Sequence, residues 1–154
     1  MYILYSIVLV LITIIALVLI VALFIPKTYT VSVSTIINKP VSEVFSYIKM
    51  IRNQEHYSVW VMQDPNVALT YTGTDGTVGF KAAWVSSMKG VGEGEQEIAS
   101  ITDNKRIDMD LRFKKPMPGN QKGSTMVEEV TLNQTKVTNE FYGNSPYPFN
   151  LMCA

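Results

Sequence analysis

The sequence predicts an α+β fold: an antiparallel sheet of about six to seven strands, short helices after the first strand, and one transmembrane helix in front. Three observations carry this. The first 25 residues hold no charged side chain. A single stretch with helical spacing of apolar residues follows an alternating stretch near residue 30. From residue 67 onward the apolar residues recur with period two, broken by Gly, Asp, Asn and Pro clusters. Strands in a run with the helices set apart imply an antiparallel sheet rather than βαβ units.

The opening segment "MYILYSIVLVLITIIALVLIVALFIPK" is almost wholly Leu, Ile, Val and Ala up to Pro26 and Lys27. As a helix, 25 residues reach about 37 Å, enough to cross a hydrocarbon layer of about 30 Å with some tilt. A cleaved signal peptide would need a basic start, a shorter apolar core and a small-x-small site. Here no Lys or Arg precedes the core, and Phe24-Ile25-Pro26 is a poor cleavage site. Residues 1–26 are therefore expected to be a retained membrane helix. Tyr2 and Tyr5 would sit at one interface, Lys27 and Tyr29 at the other. Lys27 and Lys39 lie on the C-terminal side of the helix, which weakly favours a cytoplasmic position for the domain beyond it.

Next, "TYTVSVSTIIN" alternates and reads as a half-buried strand, with Tyr29, Val31, Val33, Thr35 and Ile37 on one face. In "KPVSEVFSYIKMI" the period changes: Val41, Val44, Phe45, Ile48 and Ile51 follow helical spacing. Pro40 suits the first turn and Glu43 its dipole. "NQEHYSVW" is expected to form a second short helix or turn, and Asp64-Pro65 a turn capped locally by Asp64. Val67, Leu69 and Tyr71 then alternate, Gly73-Thr74-Asp75-Gly76 turns the chain, and Val78, Phe80, Ala82 and Trp84 alternate in the next strand. "SSMKG" turns it again. "RIDMDLRF" separates Ile107, Met109, Leu111 and Phe113 from Arg106, Asp108, Asp110 and Arg112. Cross-strand pairing accounts for those charges. "KPMPGNQKGS" reads as a longer loop. "TMVEEVTLN" and "KVTNEFYG" read as a hairpin turning at Asn133-Gln134-Thr135.

Composition excludes several functions. Thirteen Lys and Arg balance thirteen Asp and Glu, for a net charge of zero, so no basic surface for nucleic acid is expected. One cysteine, Cys153, and one histidine, His56, exclude an internal disulfide, a zinc site of cysteine pairs and a two-histidine metal motif. No cofactor is expected. His56, in a polar turn, reads as a surface residue rather than a general base.

The glycine-rich "KGVGEGEQEI", residues 89–98, invites comparison with a phosphate-binding loop. Such a loop follows a strand and opens a helix, so that its amides and the helix dipole face the anion. No helical period follows residue 90, and Glu93, Glu95 and Glu97 would repel a phosphate. The segment reads instead as a strand between strands. Its glutamates then face solvent, and Gly92, Gly94, Gln96 and Ile98 face inward. A glycine there lets a sheet bend or leaves room for a ligand, two readings that are open at this point and compatible with each other.

Seven stretches, in order, resemble the SRPBCC superfamily of START-like, helix-grip proteins, and within it the polyketide cyclase/dehydrase-like members. They are "INKPVSEVFSYI", "SVWVMQDPN", "YTGTDGTVGFKAAW", "GVGEGEQEI", "RIDMDLRFKKP", "TKVTNEFYG" and "YPFNLM". Together they cover essentially residues 29–152. The resemblance implies a curved antiparallel sheet gripping a long C-terminal helix, with an apolar cavity between them for lipids, sterols, polyketides or other hydrophobic molecules. Two departures stand out. Of the tryptophans in the family's Trp-x-x-Trp-Ser-Pro-Trp stretch only Trp60 survives, with Gln54 and Tyr57 at the other two positions, and the family's tryptophan near residue 139 is Asn139. The chain also stops at Cys153-Ala154, so 27–154 is expected to be such a domain without its C-terminal helix, either truncated or covered by another chain.

Candidate ligand-binding residues come from the inward faces: Tyr71, Phe80, Trp84, Gln96, Met109, Leu111, Glu128 and Asn139. The aromatic members are either core or cavity lining. Gln96, Glu128 and Asn139 are polar on apolar faces and could form one polar spot in the cavity, unless a bulge turns Glu128 outward. No acid–base pair stands out, so catalysis is left open. The expected function is a membrane-anchored module binding a hydrophobic small molecule or lipid. The alternative is a cyclase- or dehydratase-like enzyme using the same cavity. The uncovered sheet face would also permit self-association.

Overall fold

The computed structural model describes residues 2–153. The chain divides into two compact units, residues 31–142 and residues 1–30 with 143–154.

The smaller unit is built on helix α1, Tyr2–Phe24. Its 23 residues have a mean hydropathy of 3.6 over the most apolar window, long and apolar enough to cross a membrane. Ala22 is its buried residue; its large side chains are exposed. Asn150 lies in the 3₁₀ helix Phe149–Cys153 and is fully buried. Its Nδ2 donates to the carbonyls of Ala22 at 2.6 Å and Ile25 at 2.8 Å. Helix ends leave their last carbonyls without intrahelical partners, and this amide serves one of them and the turn beyond. The Ser145 N–H also donates to the Lys27 carbonyl at 2.8 Å.

The sheet has seven strands: β1 Thr28–Ile37, β2 Ala68–Thr72, β3 Lys81–Val85, β4 Glu93–Thr102, β5 Arg106–Lys115, β6 Gly119–Thr131 and β7 Gln134–Asn144. Their order is β1-β7-β6-β5-β4-β3-β2, a curved antiparallel sheet in which β2 to β7 succeed one another as a meander. Helix α2, Val41–Ile48, the 3₁₀ helix Ile51–His56 and helix α3, Val59–Met62, come between β1 and β2. This is the α+β architecture that the periodicity predicts.

The helical spacing of α2 turns Val44, Phe45 and Ile48 inward. They meet Ile51, Phe80, Ala82, Ile98, Ile107, Val127 and Val137 in one core. Asp75, in the turn after β2, accepts from the Ile51 and Arg52 amides at 2.8 and 3.1 Å, and so holds the start of the 3₁₀ helix. Asp64 is buried, accepts from the Asn66 amide at 2.8 Å as the expected local cap, and also takes the Ser86 hydroxyl.

Several expectations are corrected. Val78 is not part of β3: Gly79 has φ +87° and the chain turns there, leaving Val78 62% exposed. Residues 89–92 are a turn, and the strand begins at Glu93. Gly92 must be glycine, because it adopts φ +65° and a Cβ would overlap the Lys115 carbonyl oxygen. Residues 119–124 are strand rather than loop, pairing with β5 from Gly119↔Phe113 to Ser124↔Asp108. Their polar, glycine-bearing composition hides a strand whose register comes from its neighbour. The β6–β7 turn is at Leu132-Asn133, because Thr135 is already in β7, where its buried hydroxyl donates to the Lys39 carbonyl. β1 is exposed along nearly its whole length rather than half-buried.

The outer face carries the charges. Glu93, Glu95 and Glu97 lie on it, but half-buried rather than fully exposed, because basic side chains cover them. Arg112 Nη1 lies 2.8 Å from both Glu95 and Glu97, Lys81 lies 3.4 Å from Glu97, and Lys115 lies 3.0 Å from Glu93. Arg106 pairs with Asp108 at 2.7 Å along its own strand, not across strands.

Candidate functional site

The inner faces form rows across the sheet. One row runs Leu69, Trp84, Gly94, Phe113; the next runs Tyr71, Ala82, Gln96, Leu111, Gln121; a third takes Ile98, Met109, Gly123 and Phe141. The rows line a cavity of about 780 Å³, wholly within residues 31–142. That volume suits a small-molecule site. Its remaining wall comes from the helical segment, through Gln54, Glu55, Tyr57, Val59, Trp60 and Val61.

Two glycines shape the interior. The Trp84 ring lies across Gly94, where a Cβ would come within 2.6 Å of it and 2.8 Å of the Arg112 carbonyl oxygen. Seated there, Trp84 donates its Nε1–H to the Val91 carbonyl at 3.2 Å and meets Phe113 edge-on at 5.8 Å. Phe113 meets Phe141 edge-on at 6.4 Å. These three rings make an aromatic arc along the cavity. Gly123 leaves the space between Met109 and Phe141 open, and a Cβ there would make only an ordinary contact with Leu111 at 3.5 Å.

The expected site residues divide into two groups. Tyr71, Trp84, Gln96, Met109, Leu111 and Asn139 all line the cavity. Phe80 does not: it is 1% exposed, packed in the core behind Tyr71, with the two rings stacked at 6.0 Å. Glu128 does not either. It lies on the outer face of β6, its side chain 70% exposed and 3.7 Å from Lys136. The parity of a regular strand puts it there: Val127 takes the inward position, and no bulge precedes it. The proposed single polar spot is therefore not formed. Asn139 accepts from the Thr125 hydroxyl, while Gln96 exchanges hydrogen bonds with Gln54, its Nε2 donating at 2.6 Å. The two are three strands apart.

Sequence reasoning missed the polar contribution of the 3₁₀ helix. Gln54 and Glu55 are consecutive, and both reach the sheet: Gln54 to Gln96, Glu55 to the Tyr71 hydroxyl. The Arg52 guanidinium lies over the Tyr71 ring, 4.4 Å from its centroid. Burial, and then the hydrogen bond it donates to the Glu55 carboxylate, push the Tyr71 hydroxyl well above the ordinary phenol range. Burial, and then Tyr47, push Tyr57 up to about 12. The polar run from Arg52 to His56, directly after the apolar face that ends at Ile51, was the available signal. His56 is exposed and not among the lining residues. Among the described residues no group of three or more His, Cys, Asp or Glu could hold a metal.

No family model matches the sequence, and no curated protein matches it. Solved structures do. Norcoclaurine synthase from Thalictrum flavum, in complex with dopamine and hydroxybenzaldehyde, is 10% identical with a TM-score of 0.63, over 81% of this chain and 74% of that one. A protein from Thermobifida fusca is 14% identical with a TM-score of 0.58, over 80% and 78%. Ara h 8.0201 is 12% identical with a TM-score of 0.56, over 79% and 80%. At such identities the likeness concerns the fold, and the fold is helix-grip.

Proposed function

We propose that this protein is a membrane-anchored module that binds a hydrophobic small molecule or lipid in the cavity lined by Trp84, Phe113 and Phe141. The observation that carries the reading is the cavity itself: about 780 Å³, floored by the inner face of the sheet, apolar along its length, with polar groups confined to a few places. Helix α1 supports the membrane half of the proposal. A core helix of a soluble protein would be largely buried, whereas α1 buries Ala22 and exposes its large apolar side chains. Its charge-free length suits a bilayer.

A second reading, a cyclase- or dehydratase-like enzyme on the same cavity, draws on the Glu55–Tyr71 pair and on a synthase having this fold. Binding is favoured over it. The Tyr71 hydroxyl already donates to Glu55 rather than standing free to donate to a substrate.

Two measurements test the proposal. Solvent extraction of the purified full chain, followed by mass spectrometry, should yield a hydrophobic compound in near-stoichiometric amount. Gly123→Leu should abolish its retention by filling the cavity. Retention unchanged in that variant would place the ligand elsewhere and defeat the reading.

A further inference from the structure

The cavity is not apolar throughout. At one end, the 3₁₀ helix presents Gln54 and Glu55 to a single row of the sheet, in which Tyr71 and Gln96 flank Ala82. The bonds already made determine what this end still offers. The Tyr71 hydroxyl spends its proton on Glu55, so its oxygen remains as an acceptor. The Glu55 carboxylate has lone pairs beyond the one that Tyr71 uses. The Gln54–Gln96 pair exchanges one good bond at 2.6 Å and a long one at 3.4 Å, which leaves one N–H and acceptor capacity on each amide. The Glu55–Tyr71 pair itself therefore offers acceptors only, and takes a donor. An ammonium would meet the Arg52 guanidinium, 4.4 Å above the Tyr71 ring, at close range. That cation would repel it, so a neutral donor fits better.

Resting on the binding function above, we propose that the Glu55–Tyr71 pair is a hydroxyl subsite, and that the ligand is an alcohol or phenol with a bulky apolar body. Its hydroxyl donates to the pair, and its body lies along Trp84, Phe113 and Phe141. Glu55 and Tyr71 thus orient the ligand in a cavity whose apolar walls impose little direction of their own.

Two probes of nearly the same shape test this: β-naphthol, which donates a hydrogen bond, and its methyl ether, which does not. Both are titrated calorimetrically into the full chain in lipid nanodiscs, with empty nanodiscs as the reference. β-Naphthol should bind about tenfold more tightly, as expected for a hydrogen bond to a charged group. Tyr71→Phe and Glu55→Ala should each bring the ratio towards one, through a loss of β-naphthol affinity larger than any change for the ether. Equal affinities in the unaltered chain would overturn the hydroxyl subsite yet leave the binding function standing. A ratio that survives both substitutions, or an equal loss of both probes in the variants, would overturn it too. Binding of neither probe by the unaltered chain would overturn both the subsite and the function on which it rests.

Discussion

Gly92, Gly94 and Gly119 show how one residue type serves different ends. Gly92 answers to backbone: φ +65°, with the Lys115 carbonyl where a Cβ would stand. Gly94 answers to the Trp84 ring that lies on it. Gly119 answers to neither, since a Cβ there would find only the Gln121 amide at 3.7 Å. Alanine at these positions should therefore rank in cost. Gly119→Ala should be close to neutral. Gly94→Ala should lose about 1–3 kcal/mol, the usual range for forcing atoms into a packed interior. Gly92→Ala should lose more, because left-handed strain adds to the clash. Urea denaturation of the parent and the three variants checks the order, and a Gly94→Ala protein as stable as the parent would mean that Trp84 does not depend on that seat. The sequence placed Gly94 on the inner face, but both of its readings, curvature or ligand space, passed over the ring. Which side chain covers a glycine depends on the neighbouring strand's register, and spacing along one strand does not contain it.

At the scale of elements, strand parity explains both what was legible and what was not. The alternation in β5 was read correctly because Ile107 to Phe113 and Arg106 to Arg112 separate by polarity. In β6 the residues from Gly119 to Ser124 are polar on both faces, so nothing in them marks a strand; their pairing with β5 makes it one. Glu128 was misplaced because its outward neighbour Met126 is apolar, and because a bulge between Glu129 and Thr131 breaks the alternation that links it to Val130 and Leu132. The outer face of β4 also sets a pH dependence. Hydrogen bonding to Arg112 holds the Glu97 carboxyl below its ordinary value, and hydrogen bonding to Lys115 does the same for Glu93. A carboxylate with a lowered folded value contributes stability above its unfolded value, about 4.3, and that contribution is lost as pH falls through the folded value. The urea midpoint should thus hold from pH 7 to about 5 and fall below about 4. In Glu97→Gln that acid limb should be shallower. An unchanged limb would show that these pairs do not govern the acid transition.

For the whole molecule, the question is what surrounds the apolar surface. Away from α1, the large side chains Val59, Trp60, Met62 and Met117 are 75, 67, 57 and 67% exposed. Val59 and Trp60 line the cavity, and Gly90 lies close enough to Gln63 that a Cβ would stand 3.5 Å from that amide, so the segment after β3 borders the same mouth. Each such side chain forgoes about 1.5–3 kcal/mol by staying in water, and several together rival the 5–15 kcal/mol that roughly holds a domain together. Monomers seldom leave large apolar side chains bare around the mouth of an apolar cavity. Residues 27–154 expressed without α1 should therefore self-associate at micromolar concentration and bind a hydrophobic dye, as read by light scattering and dye fluorescence. Trp60→Gln with Val59→Ser should weaken both effects while leaving the core of Phe45, Phe80 and Ile98 intact, because neither position contributes to that cluster. A monodisperse, cooperatively melting monomer that ignores the dye would mean that the short helices between β1 and β2 already close the sheet in solution, and that the cavity is closed to ligands as well.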